Sequence, residues 1–248
     1  MTDMVNVRIN GKWDLKLPKH RADRPEWTSE QGWERARLDS LFNYITDFKF
    51  NTKHKPVIYY VGAEEGDMCA LCQIWGARVY LFEPNPKVWP NIKAIWESNL
   101  LKSPEFCFAG FVGNETSEDL EKTDPIAVNQ FPECANNEVI GDHGVKNLCE
   151  ADGTIPIVKI DDLVGNNIVV PDIISIDVEG AEWEVLRGAE NILKMYHPTI
   201  YLSLHPEFLY EIYKEYSADL RHWLKEIGYK ETLLDYQHEV HLVYEGIK

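Results

Sequence analysis

The stretch that most limits the fold is Asp172-Ile173-Ile174-Ser175-Ile176-Asp177-Val178-Glu179-Gly180-Ala181-Glu182. Ile173, Ile174 and Ile176 read as a short strand buried on both faces, the kind found in the middle of a parallel sheet. Asp177 and Glu179 follow where that strand should end, and Gly180 breaks the chain before a helix over about 181–194. An unpaired buried carboxylate is costly, so these acids are not ordinary core residues. In open α/β sheets the carboxyl edge of the strands is where ligands bind. This segment therefore marks a candidate active-site edge.

Other apolar runs supply the rest of the sheet. Val57–Val61, Arg78–Phe82, Phe106–Val112, Ile155–Val158 and Thr199–Leu204 alternate with helix-spaced segments, which implies βαβ units and a mostly parallel sheet. Tyr229–Leu234 and Glu239–Tyr244 read as a C-terminal antiparallel hairpin. Asp161-Asp162 suits the N-cap of a short helix at Leu163. Before the core, Val5, Val7 and Ile9 alternate as an edge strand, and Thr28-x-x-Gln31 has the capping-box pattern that opens a helix to about Phe48. The organisation is one domain over 1–248: an N-terminal arm and helix over 1–50, and a Rossmann-like core over 55–248. Residues 113–153 are polar and irregular and read as a substrate or lid loop, with Asp142 and His143 as candidate substrate contacts.

Charge narrows the ligand. A formal net charge of −16 argues against nucleic acid and anionic membranes. The odd set Cys69, Cys72, Cys107, Cys134 and Cys149 does not suggest a disulfide framework, and Cys69-x-x-Cys72 reads as helix packing. Trp13, Trp27 and Trp33 read as packing or lid residues. No apolar run approaches the roughly 20 residues of a membrane span, so a cytoplasmic setting is expected.

Gly62-Ala63-Glu64-Glu65-Gly66-Asp67 follows the first core strand. Gly62 and Gly66 permit tight turns and close approach to a ligand. Glu64 replaces the second Gly of a dinucleotide fingerprint and would repel a pyrophosphate. Glu83, ahead of Pro84-Asn85-Pro86, ends the second strand where an acid can accept both hydroxyls of a ribose. A phosphate-free adenosyl ligand with a positive charge satisfies both demands, and S-adenosylmethionine is one.

With these motifs together, the sequence resembles the FkbM-type family of S-adenosylmethionine-dependent methyltransferases. The resemblance rests on Val61–Gly66, Leu81–Pro86 and, above all, Ile176–Glu182 with Val185-Leu186-Arg187-Gly188-Ala189 behind it, and covers about 55–207. It implies a class I methyltransferase fold with a seven-stranded sheet, helices on both faces and a closing hairpin. It also implies that Gly62, Ala63, Glu64, Gly66, Asp67, Glu83, Pro84, Asn85 and Asp177 contact the cofactor, and that Asp177 and Glu179 lie near the methyl group and acceptor. Glu182 is a further candidate substrate contact. Three positions depart from the family pattern. Tyr60 stands where an acid is usual, Ser175 where a Lys is frequent, and Ser203 where a Glu is common. Glu64 or Glu65 can supply the charge that Tyr60 lacks.

The expected activity is O-methylation of a hydroxyl on a sugar or glycan, or alternatively on a small natural product. Asp177, Glu179 and His205 are the candidates to accept the hydroxyl proton. They and Asp142 and His143 also have donors suited to a divalent metal, but no spacing is diagnostic and no metal ligand is assigned. Rival readings are an NAD-dependent oxidoreductase, which Glu83 suits and Glu64 does not, and a silent cofactor-binding module.

Overall fold

The structure, a computed structural model, describes residues 3–118, 120, 125–132, 155–166, 168–236 and 239–247. Asp142 and His143, with Cys134 and Cys149, lie outside them.

The core strands are β3 (Val57–Val61), β4 (Arg78–Phe82), β5 (Phe106–Phe108), β9 (Ile173–Ile176) and β10 (Thr199–Leu204), all running parallel in the order β10-β9-β3-β4-β5. Every residue of these strands except Arg78 is buried, as near-continuous apolar sequences require when helices cover both faces. The chain leaves β3 toward β4 on one side and later returns to place β9 on the other. The carboxyl ends of β3 and β9 therefore flank the point where strand order reverses.

At one margin β12 (Val240–Gly246) pairs antiparallel with β10, and β11 (Tyr229–Tyr236) with β12. At the other, β7 (Ile126–Val128) pairs antiparallel with β5. The main sheet thus has eight strands among the described residues, not seven. The extra one comes from the segment expected to be an irregular loop. The expected long strand at 106–112 also divides. After Ala109-Gly110 the chain departs, and β6 (Phe111–Val112) pairs with β8 (Ile157–Val158) in a separate small sheet. The helix expected over 181–194 likewise splits into Glu182–Arg187 and Glu190–Tyr196. Asp161 serves the second of these: its carboxylate accepts the Asn191 and Ile192 amides rather than capping its own helix at Ile160–Gly165.

The N-terminal arm is more ordered than its sequence suggests. β1 (Met4–Ile9) pairs antiparallel with β2 (Trp13–Pro18), and α1 (Lys19–Ala22) follows. The capping-box reading is wrong: Pro25–Thr28 is a 3-10 turn and α2 spans Arg35–Thr52. Instead of capping a helix, Thr28 closes that turn by donating to the Pro25 carbonyl. Helices α3 (Asp67–Trp75) and α4 (Trp89–Ser98) join the arm and α2 in a core on one face of the sheet. Trp13 packs against Phe42 and Trp75 there. Cys69 and Cys72 are buried in this core, and burial pushes the Cys72 thiol up to about 12, so both serve packing.

Candidate active site

Two loops meet at the sheet reversal. Gly62 has φ 84°, and a Cβ there would lie 1.7 Å from the Asp177 carbonyl oxygen. Only Gly lets the loop after β3 and the loop after β9 touch backbone to backbone. The Gly62 and Ala63 amides donate to the Phe82 carbonyl, which ties the same loop to the end of β4.

Glu83 caps that strand end. Its two carboxylate oxygens accept the Glu64 and Asn85 backbone N–H groups, each at 2.8 Å. Burial pushes its carboxyl up to about 8, partly offset by these two donors. Each oxygen keeps a further acceptor site.

The acids of the glycine loop are already matched by the N-terminal arm. Arg21, buried in α1, donates to Glu64 Oε1 and Oε2 at 2.8 and 3.0 Å, and its Nε donates to Asp67 Oδ2 at 2.7 Å. His20 Nε2 lies 2.6 Å from Glu65 Oε2. Neither Glu64 nor Glu65 is therefore spare charge that makes up for Tyr60, because each already has a cationic or imidazole partner. Asp67 sits buried behind the loop on Arg21, although it borders the cleft.

The opposite end is organised by Arg37, buried on α2. Its Nη1 donates to Glu34 and, at 3.1 Å, to Asp177 Oδ2. Its Nη2 donates to Ser175 Oγ at 2.9 Å and Tyr60 Oη at 3.3 Å. The two departures at Tyr60 and Ser175 thus form the seat of one guanidinium. Beside it, burial pushes Asp177 up to about 6, with Glu239 adding to the effect and Arg37 and His205 opposing it. Burial likewise raises Glu34 to about 7 against the pull of Arg37.

His205 follows β10. Its Nδ1 lies 2.7 Å from Glu182 Oε1, and its Nε2 lies 2.7 Å from Glu239 Oε2 and 3.9 Å from Asp177 Oδ1. Burial alone would lower its pKa, but Glu182 and Glu239 override this and hold it at about 11. Both ring nitrogens are engaged, which leaves His205 unable to accept a proton in this arrangement. That corrects its expected role as a base. Glu182 is fully buried behind the histidine and also accepts the Gly180 amide, so it is not placed to meet substrate.

Glu179 differs from its neighbours. It adopts a left-handed backbone, φ 50°, before Gly180 at φ 112°. Among the described residues no side chain hydrogen-bonds its carboxylate, and burial followed by repulsion from Asp177 raises it to about 7.

These groups enclose a cleft of about 320 Å³, within the usual range for small-ligand pockets. Gly62, Ala63, Glu64, Glu83, Pro84 and Asn85 line one end, and Asp177, Glu179, His205 and Glu239 the other. Apolar walls come from Met68, Phe82, Val88, Phe111 and Val112. Gly66 turns the chain into α3 at φ 84° and lies behind the loop against Ile92 and Trp96. Arg21, Glu34, Arg37 and Glu239 were not singled out in the sequence.

A profile described as Methyltransferase FkbM domain matches residues 60–231. The chain belongs to the FkbM methyltransferase family. Among curated proteins, hexuronic acid methyltransferase AglP of Haloferax volcanii is 30% identical over 141 residues, which are 56% of this chain and 52% of that protein. The chain thus spans about half the length of this relative. Among solved structures, the methyltransferase FkbM of Methylobacillus flagellatus aligns with TM-score 0.50 at 16% identity, covering 76% of this chain and 43% of that one. That likeness supports the class I methyltransferase fold of the FkbM domain. Among the described residues, no helix is long and apolar enough to cross a membrane.

Proposed function

We propose that this FkbM-family chain is an S-adenosylmethionine-dependent O-methyltransferase whose acceptor is a hydroxyl of a sugar or glycan. The observation that carries the cofactor assignment is Glu83. It is buried at the end of β4, one strand from the sheet reversal, held by two backbone N–H groups, and faces a cleft with acids on both sides. This suits a ribose, and the acidic cleft favours a sulfonium over a phosphate. The likeness to AglP, a hexuronic acid methyltransferase, supports a sugar acceptor.

When bound, S-adenosylmethionine supplies an electrophilic methyl group on a cationic sulfur. The protein's task is then to align an acceptor oxygen behind that methyl and exclude water. Asp177, held on Arg37, bounds the acceptor end. Glu179 is the carboxylate best placed to take the hydroxyl proton, because it borders the cleft and no side chain hydrogen-bonds it among the described residues. His205 acts as a positioning residue that fixes Glu182 and Glu239.

Calorimetry with S-adenosylhomocysteine tests the first step, and radiolabelled methyl transfer to a panel of neutral and uronic acid sugars tests the second. Binding followed by an alkali-stable methyl ether on a sugar is the expected result. No binding at millimolar ligand would sink the cofactor assignment, and methyl transfer only to nitrogen would sink the acceptor assignment.

A further inference from the structure

The acceptor end holds more carboxylate than its own cations match. Arg37 is shared between Glu34 and Asp177, and His205 between Glu182 and Glu239, which also has His241 Nε2 at 3.8 Å, so three side chains face five carboxylates. Glu182 Oε2 is buried without a hydrogen-bond partner, and Glu179 has no cation in contact among the described residues. Negative charge gathered in a desolvated cleft is costly without a counter-cation.

The donor atoms here are mixed rather than merely acidic. A carboxylate oxygen of Asp177, a ring nitrogen of His205 and a carboxylate oxygen of Glu239 all lie within 4.8 Å of one another. We propose that Asp177, His205 and Glu239 bind a divalent first-row cation on the wall of the cleft, with Mn²⁺ the best fit to one imidazole nitrogen and two carboxylates. Ligand atoms about 2.0–2.2 Å from one ion lie roughly 3 Å apart at right angles. The Nε2 distances of 2.7 Å to Glu239 and 3.9 Å to Asp177 bracket that spacing.

The surrounding contacts orient each donor. Glu182 Oε1 accepts Nδ1–H of His205 and is itself pinned by the Gly180 amide, which fixes the tautomer that turns Nε2 toward the other two ligands. Arg37 occupies Asp177 Oδ2 and leaves Oδ1 facing His205. The ion takes Nε2 as a lone-pair donor, so its proton is released on binding. Glu239 comes from the segment leading into β12 and His205 from the end of β10, so pairing of these strands sets the ligand spacing.

The purpose of the ion, unlike its binding, rests on the methyltransferase reading. An ion at this point can hold an acceptor hydroxyl and lower its pKa. The O–CH₃ bond then forms as the S–CH₃ bond breaks, the hydroxyl proton passes to Glu179, and the sulfur leaves as a neutral thioether. This also gives His205 a place in the chemistry that it lacks as a base.

The test is Mn²⁺ titration of the metal-stripped full chain, followed by electron paramagnetic resonance and without any adenosyl ligand. One bound Mn²⁺ per chain is expected, with a nitrogen coupling from imidazole in its electron spin-echo spectrum. His205→Gln should abolish that coupling. Glu239→Gln should weaken binding at least 100-fold, and Glu182→Gln by roughly 10-fold, in the range known for groups that orient metal-bound histidine. No bound Mn²⁺, or bound Mn²⁺ without nitrogen coupling in the unsubstituted protein, would overturn the site whether or not the variants fold. Binding of Mn²⁺ with no binding of S-adenosylhomocysteine would uphold the site and defeat the cofactor assignment; the reverse pattern would do the opposite.

Discussion

The two ends of the cleft use similar residues to opposite effect. At the cofactor end every acid of the glycine loop is answered, Glu64 and Asp67 by Arg21 and Glu65 by His20, and Glu83 at the end of β4 is held by two backbone amides. At the acceptor end one guanidinium and two imidazoles, Arg37, His205 and His241, serve four carboxylates among the described residues, and Glu179 stands apart. The first arrangement holds a loop in shape. The second stores negative potential facing the cleft, where an approaching cation or an acceptor proton can use it.

Removing the cation from the acceptor end should have the largest effect. Arg37→Met leaves Glu34 and Asp177 buried without their partner and should cost about 3–5 kcal/mol of stability, seen as a large fall in the thermal midpoint. A midpoint unchanged from the parent would show that the guanidinium is not what holds this end together. Next is turnover. Glu179→Gln should lower kcat by roughly 100-fold or more, the usual scale for losing a general base, while S-adenosylhomocysteine affinity holds. Equal loss in binding and turnover would instead make Glu179 a cofactor contact.

At the other end, Glu83→Ala should weaken S-adenosylhomocysteine by about 1–3 kcal/mol, the scale of one or two hydrogen bonds between neutral groups. Its pH behaviour sharpens the contrast. Glu83 is raised to about 8 in the folded protein from 4.5, so the folded state holds the proton more tightly. Its contribution to stability is full below pH 4.5 and is lost as pH rises through 8. Denaturation of the unliganded protein across that range should show the loss, and Glu83→Gln should flatten it. The smallest effect is expected at Glu64, whose side chain is 47% exposed: Glu64→Gln should cost under about 1 kcal/mol despite its contact with Arg21.

The sequence was most readable where the signal is local. β3, β4, β9 and β10 fall where their apolar runs place them, and α3 stops at Gly76, whose φ of 104° suits only glycine. Gly62, Glu83, Asp177, Glu179 and His205 converge on one edge because strand ends in a parallel sheet must do so. What escaped was set by distant partners. Arg37 and Asp177 lie 140 residues apart and Arg21 and Asp67 lie 46 apart, so no spacing advertises either pair. His205 misled for the same reason. A histidine after a strand looks like a base until Glu182 and Glu239 are folded against its two nitrogens. The strand at β7 was hidden because only its middle residue is buried, and three residues carry too little alternation to read.

The arm that carries Arg21 and Arg37 has one more consequence. The family match spans 60–231, yet Arg21, Glu34, Arg37 and Glu239 lie outside it. The span that the family match covers and the span that builds the cleft are therefore not the same length. A piece trimmed to the matched span would keep Asp177, Glu179 and His205 but lose the guanidiniums that make them tolerable. By the same token, exchanging the arm between relatives would rewire the electrostatics of the acceptor end without touching a residue of the shared domain.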